Sequence, residues 1–249
     1  KGTGVEIPFY WAISENRDAT FVFDRYDKGV TGIGLEYRYI EPEHIKSFWW
    51  AYNASDSRSN NDLWELRALH EHRYEGNLGG FLNINFVNEK NFFTELSPHL
   101  EIRIQRFLES TGEVNLSFEN SRLFLLSQYW IDLKNDNGDV PQRLPEIGYV
   151  SNYKKAGAFM FSSSAVASNI HRDNGVSALR LDVYPKILYS FGKDFAVSQS
   201  AGLRGTEYFF YKNEGLTDDN VHRLAFEYNV IGHTRLLRQY SSFAHVIEP

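Results

Sequence analysis

The sequence predicts an antiparallel up-and-down transmembrane β-barrel fold, with about a dozen strands in this chain. Three observations favour this all-β fold class. Apolar and charged residues alternate with a period of two, 16% of the 249 residues are aromatic, and the mean hydropathy is only −0.43. Barrel strands direct half of their side chains to lipid and half to water, so these proteins are rich in aromatic residues and still polar on average.

The alternation is clearest in residues 31–40, where Ile33, Leu35 and Tyr37 fall on one face and Glu36 and Arg38 fall on the other. Two further segments set an apolar face against a charged one. Their charged faces carry Glu65, Arg67, Glu101 and Arg103. Each such segment predicts a strand with one side in an apolar medium and one side in water.

The predicted strands follow from this period and from the turn residues between them. They cover residues 19–26, 31–40, 45–53, 63–74, 80–87, 100–108, 113–119, 123–133, 158–168, 178–189, 195–206, 223–232 and 234–240. Tight turns are predicted at 27–29 and 110–112, where glycine supplies a positive φ. Long connections are predicted from their polar composition at 54–62, 134–142 and 212–220. A mixture of short turns and longer loops is typical of outer-membrane barrels, which have the short turns at one end and the loops at the other.

Composition excludes several classes of protein. No apolar run reaches the roughly 20 residues of a membrane-spanning helix. The 26 basic and 32 acidic residues are interleaved, which predicts no nucleic-acid partner, and the absence of cysteine excludes a disulfide within the chain. A soluble β-sandwich or jelly roll also alternates, but it hides its apolar face against a second sheet and has no need of charge on strand after strand. The pattern alone leaves both folds open.

Four segments resemble the LptD family of lipopolysaccharide-assembly outer-membrane proteins. Residues 7–40 are similar to the start of the family's barrel, with a proline, two aromatic residues and tryptophan, then an Asp-Ala-Thr strand, a glycine turn and a strand with Glu-Tyr-Arg-Tyr. Residues 143–146 resemble its Arg-Leu-Pro-Glu segment, 180–185 its Arg-x-Asp-x-x-Pro strand and 245–249 its His-x-x-x-Pro element. The segments keep the family's order along nearly the whole chain.

The resemblance implies that residues 1–249 are the first half of a barrel of about 26 strands. A periplasmic jelly roll would precede it and further strands would follow it. The implied partners are lipopolysaccharide, an LptE-like plug lipoprotein, membrane lipids and, through the jelly roll, the periplasmic Lpt bridge. The implied place is the outer membrane of a Gram-negative bacterium, and the implied role is transport, without catalysis, cofactor or metal. Half a barrel leaves two strand edges unpaired, so we expect that it does not span a membrane alone.

The resemblance also implies a lateral gate at which lipid tails leave between the first and last strands. Two prolines weaken strand pairing there in the family, because proline lacks the N–H that a ladder needs. Pro8 matches the first and is followed by Phe9, Tyr10 and Trp11, whereas Phe23 occupies the second position. The loss of one backbone N–H weakens the pairing of these strands less than the loss of two. The alternative interpretation of Pro8 is an ordinary strand entry.

Charged residues on the inward face are the second candidate site. They would line a hydrated path for phosphorylated, sugar-rich head groups, since the guanidinium group donates two hydrogen bonds to phosphate. This predicted path consists of Glu36, Arg38, Glu65, Arg67, Glu101, Arg103, Arg180 and Asp182. The alternative is a cross-strand charge ladder that only stabilises the wall.

Other chemistry has weaker signals. His70 and His72 share a predicted face at metal-ligand spacing, but no third ligand is evident, which favours histidines at the membrane interface. A barrel-embedded hydrolase would need a histidine and a serine adjacent on the outer wall, such as His70 and Ser163. A porin-like channel is the remaining alternative.

Overall fold

The computed structural model describes residues 3–27, 29–42, 45–56, 61–73, 76–96, 104–192, 195–212, 215, 220–234, 236–242 and 244–247. Thirteen antiparallel strands form one sheet, and each pairs with its neighbours in the sequence. They are β1 (Gly4–Ser14), β2 (Arg17–Tyr26), β3 (Val30–Glu41), β4 (Ile45–Asp56), β5 (Asn61–Arg73), β6 (Leu78–Val87), β7 (Phe107–Ser117), β8 (Ser121–Asp132), β9 (Gln142–Ala156), β10 (Phe159–His171), β11 (Ser177–Gly192), β12 (Phe195–Lys212) and β13 (Asn220–Thr234).

The smaller elements lie between or after these strands. A short hairpin pairs β14 (Leu236–Gln239) with β15 (Ala244–Ile247). Helix α1 (Phe92–Leu96) follows β6, and a single 3-10 turn (Asn137–Asp139) follows β8. Along the described ranges, no helix is long and apolar enough to cross a bilayer.

Most predicted strands coincide with observed ones, but β1, β9 and β15 were not predicted. β1 and β9 contain Pro8 and Pro145 within the strand, and proline argues against a strand except at an edge or an irregularity. β1 is an edge strand, since it pairs only with β2 in the described sheet. The register of β9 against β8 and β10 shifts beside Pro145, between Arg143 and Glu146. Each proline is thus accommodated by its place in the sheet.

The prediction for residues 100–119 is wrong in two respects. Residues 104–106 are not in a strand, and β7 runs unbroken through the predicted turn at 110–112. Gly112 pairs with Leu82 of β6 and Ser127 of β8, so pairing on both sides holds the glycine extended. The turn instead follows at 118–120, where the Phe118 N–H donates to the Ser121 carbonyl at 2.7 Å.

The connections differ in length at the two ends of the strands. At one end, which we call the turn end, the thirteen strands are joined by two to four residues. At the other, the loop end, two connections are equally short, 27–29 and 57–60, and the other four are longer, at 88–106, 133–141, 172–176 and 213–219. The predicted tight turn at 27–29 lies at the loop end, and Gly29 has the expected positive φ of 85°. The asymmetry in length is that of an outer-membrane barrel.

The sheet has one polar and one apolar face. The continuous register places Asp24, Glu65, Glu113, Glu146 and Asp182 together on what we call the polar face, and all five are buried. The opposite, apolar face exposes large hydrophobic side chains on nearly every strand. Examples are Ile7, Phe21, Leu35, Trp64, Leu125, Val183, Leu224 and Phe226. A sandwich would cover this face with a second sheet, but the other sheet in the described chain is only the hairpin of β14 and β15.

Aromatic rings on the polar face lie directly against glycines of neighbouring strands. A Cβ added to Gly34 would lie 2.6 Å from Trp50, one added to Gly148 would lie 2.3 Å from Phe124, and one added to Gly202 would lie 2.8 Å from Tyr184. Because such distances are far inside van der Waals contact, the absence of a side chain is what lets each ring lie there. Each of these three glycines, although it lies within a strand, therefore makes room for an aromatic ring of a neighbouring strand; we call them the glycine seats.

The main apolar cluster lies at the loop end. α1 packs Phe92 and Leu96 against Ala54, Leu63 and Val87. The Phe92 ring also meets the edge of Tyr52 at 6.3 Å between centroids, and Tyr52 is on the polar face. The connection after β6 therefore folds back over that face.

Candidate functional site

The polar face holds every described residue of the predicted path. Cross-strand register places Glu36 beside Trp50, Arg67 beside Asn85, and Arg180 beside Ser168. Glu65 and Asp182 lie two residues from these arginines on the same strands, and Arg38 pairs with Asp18 across β2 and β3. Glu101 and Arg103 lie outside the described residues.

Three assemblies repeat along this face, and in each an arginine covers an aromatic ring and contacts an acid. In the Trp50 stack, Arg67 lies 6.0 Å from the Trp50 ring and its Nε is 2.9 Å from Glu65. The Trp50 indole N–H donates to the other Glu65 oxygen at 2.9 Å.

The other two assemblies have the same composition. In the Phe124 stack, Arg122 lies 5.0 Å from the Phe124 ring and donates to Glu113 at 3.1 Å. In the Tyr184 stack, Arg204 lies 5.7 Å from the Tyr184 ring and its Nε is 3.0 Å from Asp182. Cation–π contact and an ion pair together fix each guanidinium group, and in the Phe124 and Tyr184 stacks the ion pair is also a charge-assisted hydrogen bond.

The two partners of each ion pair differ sharply in exposure. The arginine and acid side chains are 45% and 6% exposed in the Trp50 stack, 46% and 7% in the Phe124 stack, and 48% and 6% in the Tyr184 stack. The carboxylates lie against the sheet and the guanidinium groups cover them. At these three stacks a solute on the polar face therefore meets positive charge first, although the chain has a net charge of −6.

Sequence reasoning missed Glu113, Arg122, Tyr184 and Arg204. Glu113 was assigned to a strand beginning after a turn, and its contact with Arg122 depends on the actual turn at 118–120. A pattern search for Arg and Glu on the same face of adjacent strands finds this pair only once that turn is placed correctly.

The predicted gate residues all lie on β1, which is an edge of the described sheet. Pro8 and Tyr10 are on the polar face, and Phe9 and Trp11 are on the apolar face. The ring of Phe9 lies 6.4 Å from that of Phe21 on β2. Because β1 begins at Gly4, Pro8 is not at a strand entry, and that alternative interpretation is wrong.

The backbone of β1 determines which way position 8 faces. The Asp27 N–H donates to the Thr3 carbonyl at 2.9 Å, and hydrogen-bonded pairs alternate along an antiparallel ladder. The odd-numbered residues of β1 therefore bond to β2, and the nitrogens of the even-numbered residues point to the free edge. The Ile40 N–H, which donates to Asn16 across β2 and β3, gives the same alternation. Pro8 thus removes a donor from the free edge and none from the β1–β2 ladder.

Phe23 is in the opposite situation. It pairs with Ile7, an odd-numbered residue, so its N–H belongs to the β1–β2 ladder. A proline at this position would remove a bond between these two strands. Because this chain has Phe23 there, the ladder between β1 and β2 keeps that bond. Of the two family proline positions, only position 8 is a proline here, and it affects the free edge.

We expect Ile7→Pro to destabilise the protein by at least about 1 kcal/mol more than Glu6→Pro, because only position 7 donates to β2. The measurement is urea unfolding in detergent micelles, followed by tryptophan fluorescence. Glu6→Pro is the matched control, since it adds the same ring one residue away at the free edge. Equal losses for the two variants would contradict the assignment of the edge.

The histidines and serines of the alternative sites lie on the apolar face. His70 Nδ1 is 3.1 Å from Ser47 Oγ, which also accepts from the Trp49 indole at 2.7 Å. Ser163 instead pairs with Ser151 at 3.2 Å between the hydroxyl oxygens, five strands away from His70 along the sheet. The predicted His70 and Ser163 pair of a hydrolase does not form. Ser47 is buried, which leaves its hydroxyl closed to a substrate.

No metal site is found in the described part of the chain, where no three His, Cys, Asp or Glu side chains are arranged to hold an ion. The rings of His70 and His72 are 5.9 Å apart at the turn end of β5. Ser47 is opposite His70 and Ile45 is opposite His72 on β4, and Trp49 follows two residues after Ser47 on the same face. This composition suits a membrane interface, where aromatic and amphipathic rings collect.

Comparison with known proteins identifies the family. The family model described as "LptD: LPS transport system D" matches residues 61–249, which is well over half of the chain. The chain belongs to the LptD family. The sheet of thirteen antiparallel strands is accordingly part of an LptD β-barrel, with the fold class that the sequence predicted.

Relatives named LPS-assembly protein LptD extend this match to the beginning of the chain. The protein of Aromatoleum aromaticum is 23% identical over 89% of this chain and 29% of its own length. That of Neisseria gonorrhoeae is 24% identical over 100% of this chain and 32% of its own length, and that of Paracidovorax citrulli is 29% identical over 57% and 19%. The chain thus spans less than a third of the length of these curated relatives.

Proposed function

We propose that this chain forms part of the wall of a barrel that inserts lipopolysaccharide into the outer leaflet of the outer membrane of a Gram-negative bacterium. It acts as a transport component and not as an enzyme. The apolar face contacts lipid, and the polar face lines the hydrated interior. The printed names of the relatives, LPS-assembly protein LptD, support the substrate class.

The observation that carries this proposal is the layering of charge on the polar face. In three separate stacks a half-exposed guanidinium covers a buried carboxylate. In these stacks the guanidinium groups are the partners that face the interior, and a path for phosphorylated head groups needs such donors at its surface.

The free edges of the sheet suggest where the rest of the machinery acts. Further strands of the complete protein pair with β13 and, at a seam, with β1, where Pro8 to Trp11 form the lateral gate. An LptE-like plug lipoprotein fills the interior. A periplasmic jelly roll, joined to these residues 1–249 in the longer protein, receives lipopolysaccharide from the Lpt bridge.

The test is photocrosslinking from adjacent residues on opposite faces of β12. Tyr208 is on the polar face and Phe209 on the apolar face, so a benzoylphenylalanine at each gives a matched pair. The complete protein, with its plug and bridge partners, is placed in phospholipid vesicles free of lipopolysaccharide, which is then supplied through the bridge. We expect lipopolysaccharide adducts at position 208 during delivery and phospholipid adducts at position 209.

The vesicles matter because lipopolysaccharide already in a membrane would reach both faces. Omitting the bridge is the control for delivery and should abolish the adduct at position 208. If position 208 gave no adduct during active delivery, or if both positions gave lipopolysaccharide adducts equally, the passage along the polar face would be refuted.

A further inference from the structure

The polar face has a cavity of about 320 Å³ between β11, β12 and β13. Its lining includes three arginines, Arg180, Arg204 and Arg223, with Tyr184 and Glu227. A volume of this size lies at the lower end of small-molecule sites. The acidic side chains near this cavity determine which of the three guanidinium groups is neutralised by an ion pair.

Asp182 is the acid closest to these arginines, and its hydrogen-bonding capacity is already used. Its Oδ2 accepts from Arg180 at 2.8 Å and from the Thr206 hydroxyl at 2.7 Å, and both carboxylate oxygens accept from Arg204 Nε at 3.0 to 3.1 Å. Asp182 is also buried. The Asp182 carboxylate thus binds the guanidinium groups of Arg180 and Arg204 and has no acceptor left for Arg223.

Glu227, the other acid, is also engaged. Its Oε2 accepts from the Tyr184 hydroxyl and lies 3.7 Å from Lys186 Nζ, and its Oε1 accepts from Asn229 at 2.7 Å. Lys186 balances its charge, so Glu227 does not neutralise Arg223.

Arg223 therefore stands apart from the other two arginines. It is exposed, and within the described residues no acidic side chain forms an ion pair with it. It is opposite Thr206 on β12, and Thr206 is opposite Asp182 on β11, so these three residues form one row across the sheet. The Arg180 Nε, in addition, is buried and has no hydrogen-bond partner there.

We propose that Arg180, Arg204 and Arg223 form a binding site for a phosphate group carried on a saccharide. The proposal rests on the proposed passage of lipopolysaccharide along the polar face and identifies one binding site on that path. Arg223 is the primary ligand, because its donors are free, while Arg180 and Arg204 contribute the donors that Asp182 leaves unused. Phosphate accepts two parallel hydrogen bonds from one guanidinium group, which suits this fork of donors. The adjoining Tyr208 ring provides a face for a sugar.

The test is calorimetric titration of the complete protein in detergent with deacylated lipopolysaccharide, before and after phosphatase treatment. We expect Arg223→Gln to weaken binding of the phosphorylated probe about tenfold and to leave the dephosphorylated probe unaffected. Arg223→Lys should give an intermediate loss, because it keeps the charge without the fork. Since Arg223 has no ion pair to break, both variants should fold normally.

Arg143→Gln is the matched control. Arg143 lies on the same face with its side chain 47% exposed, but it belongs to none of the three stacks, donates to Gln128 and does not line this cavity. An equal loss in Arg143→Gln and Arg223→Gln would overturn the site, as would an unchanged affinity in Arg223→Gln. Inorganic phosphate that competes as well as the saccharide at equal concentration would also overturn it, since the site would then take free phosphate.

These outcomes separate the site from the passage. Lipopolysaccharide adducts at position 208 combined with no phosphate selectivity would leave the passage standing and remove the site. Selective binding of the phosphorylated probe with no adduct during delivery would leave the site and remove the passage.

Discussion

Gly148→Val is expected to lower the free energy of unfolding by about 3 kcal/mol, because the added side chain collides with the ring that the glycine supports. A Cβ at position 148 would lie 2.3 Å from Cζ and 2.5 Å from Cε1 of Phe124. Arg122 in turn covers Phe124, so moving the ring also disturbs the Arg122 and Glu113 pair. The measurement is urea unfolding in detergent micelles.

This direction is opposite to ordinary strand propensity. Replacing a glycine within a strand usually stabilises it, because glycine loses more backbone entropy on folding and has no side chain to pack. Gly205→Val is therefore the matched control. A Cβ at Gly205 meets nothing within 4 Å, so we expect this variant to be neutral or slightly stabilising.

A second variant identifies the collision as the cause. Phe124→Ala removes the ring, so the valine in the double variant Gly148→Val/Phe124→Ala has room. We expect the double variant to lose less stability than the sum of the two single variants, by about 1 kcal/mol or more. Strict additivity would contradict the role of Gly148 as a seat for the ring.

Asp132→Ala is expected to lower the free energy of unfolding by about 2 to 4 kcal/mol, because it removes the acceptor that organises the connection after β8. Asp132 is 1% exposed. It accepts from the backbone N–H groups of Lys134 and Asn135 at 2.8 and 3.0 Å, and from Arg106 Nε and Nη2 at 3.2 and 3.1 Å. Its removal leaves these donors without their acceptor at the loop end.

The control for Asp132 is Asp173→Ala. Asp173 contacts His171 at 3.3 Å, but its side chain is 77% exposed, so its loss should change stability by less than about 0.5 kcal/mol. Limited proteolysis adds a local measurement, since Asp132→Ala should expose residues 133–141 to cleavage while the sheet remains folded. If Asp132→Ala were as stable as Asp173→Ala, the organising role would be disproved.

The period of two was enough to predict the faces of the sheet. Every described residue of the predicted path, from Glu36 to Asp182, lies on the polar face, because the side-chain direction in a strand depends only on odd or even position. The odd or even position of a residue can be read from the local sequence, so the predicted face is correct even where the predicted strand ends are wrong by several residues.

Contacts between strands depend on register, and local sequence does not determine register. The partnership of Arg122 with Glu113 was missed because the glycine at 112 suggested a turn, whereas pairing with both β6 and β8 holds it extended. The three glycine seats were missed for a similar reason. Each ring comes from a neighbouring strand, so Gly34, Gly148 and Gly202 carry no signal that separates them from glycines of turns or kinks.

The orientation of Pro8 has a consequence for the strength of pairing at the free edge of β1. A strand that docks there finds donors at residues 4 and 6 and again at 10 and 12, with a gap of about 13 Å between the two sets at the rise of an extended chain. The Pro8 carbonyl can still accept a hydrogen bond from that strand, so the edge loses one bond of its ladder. Pairing at this edge is therefore weakest at the middle of β1, between two stretches that keep all of their donors.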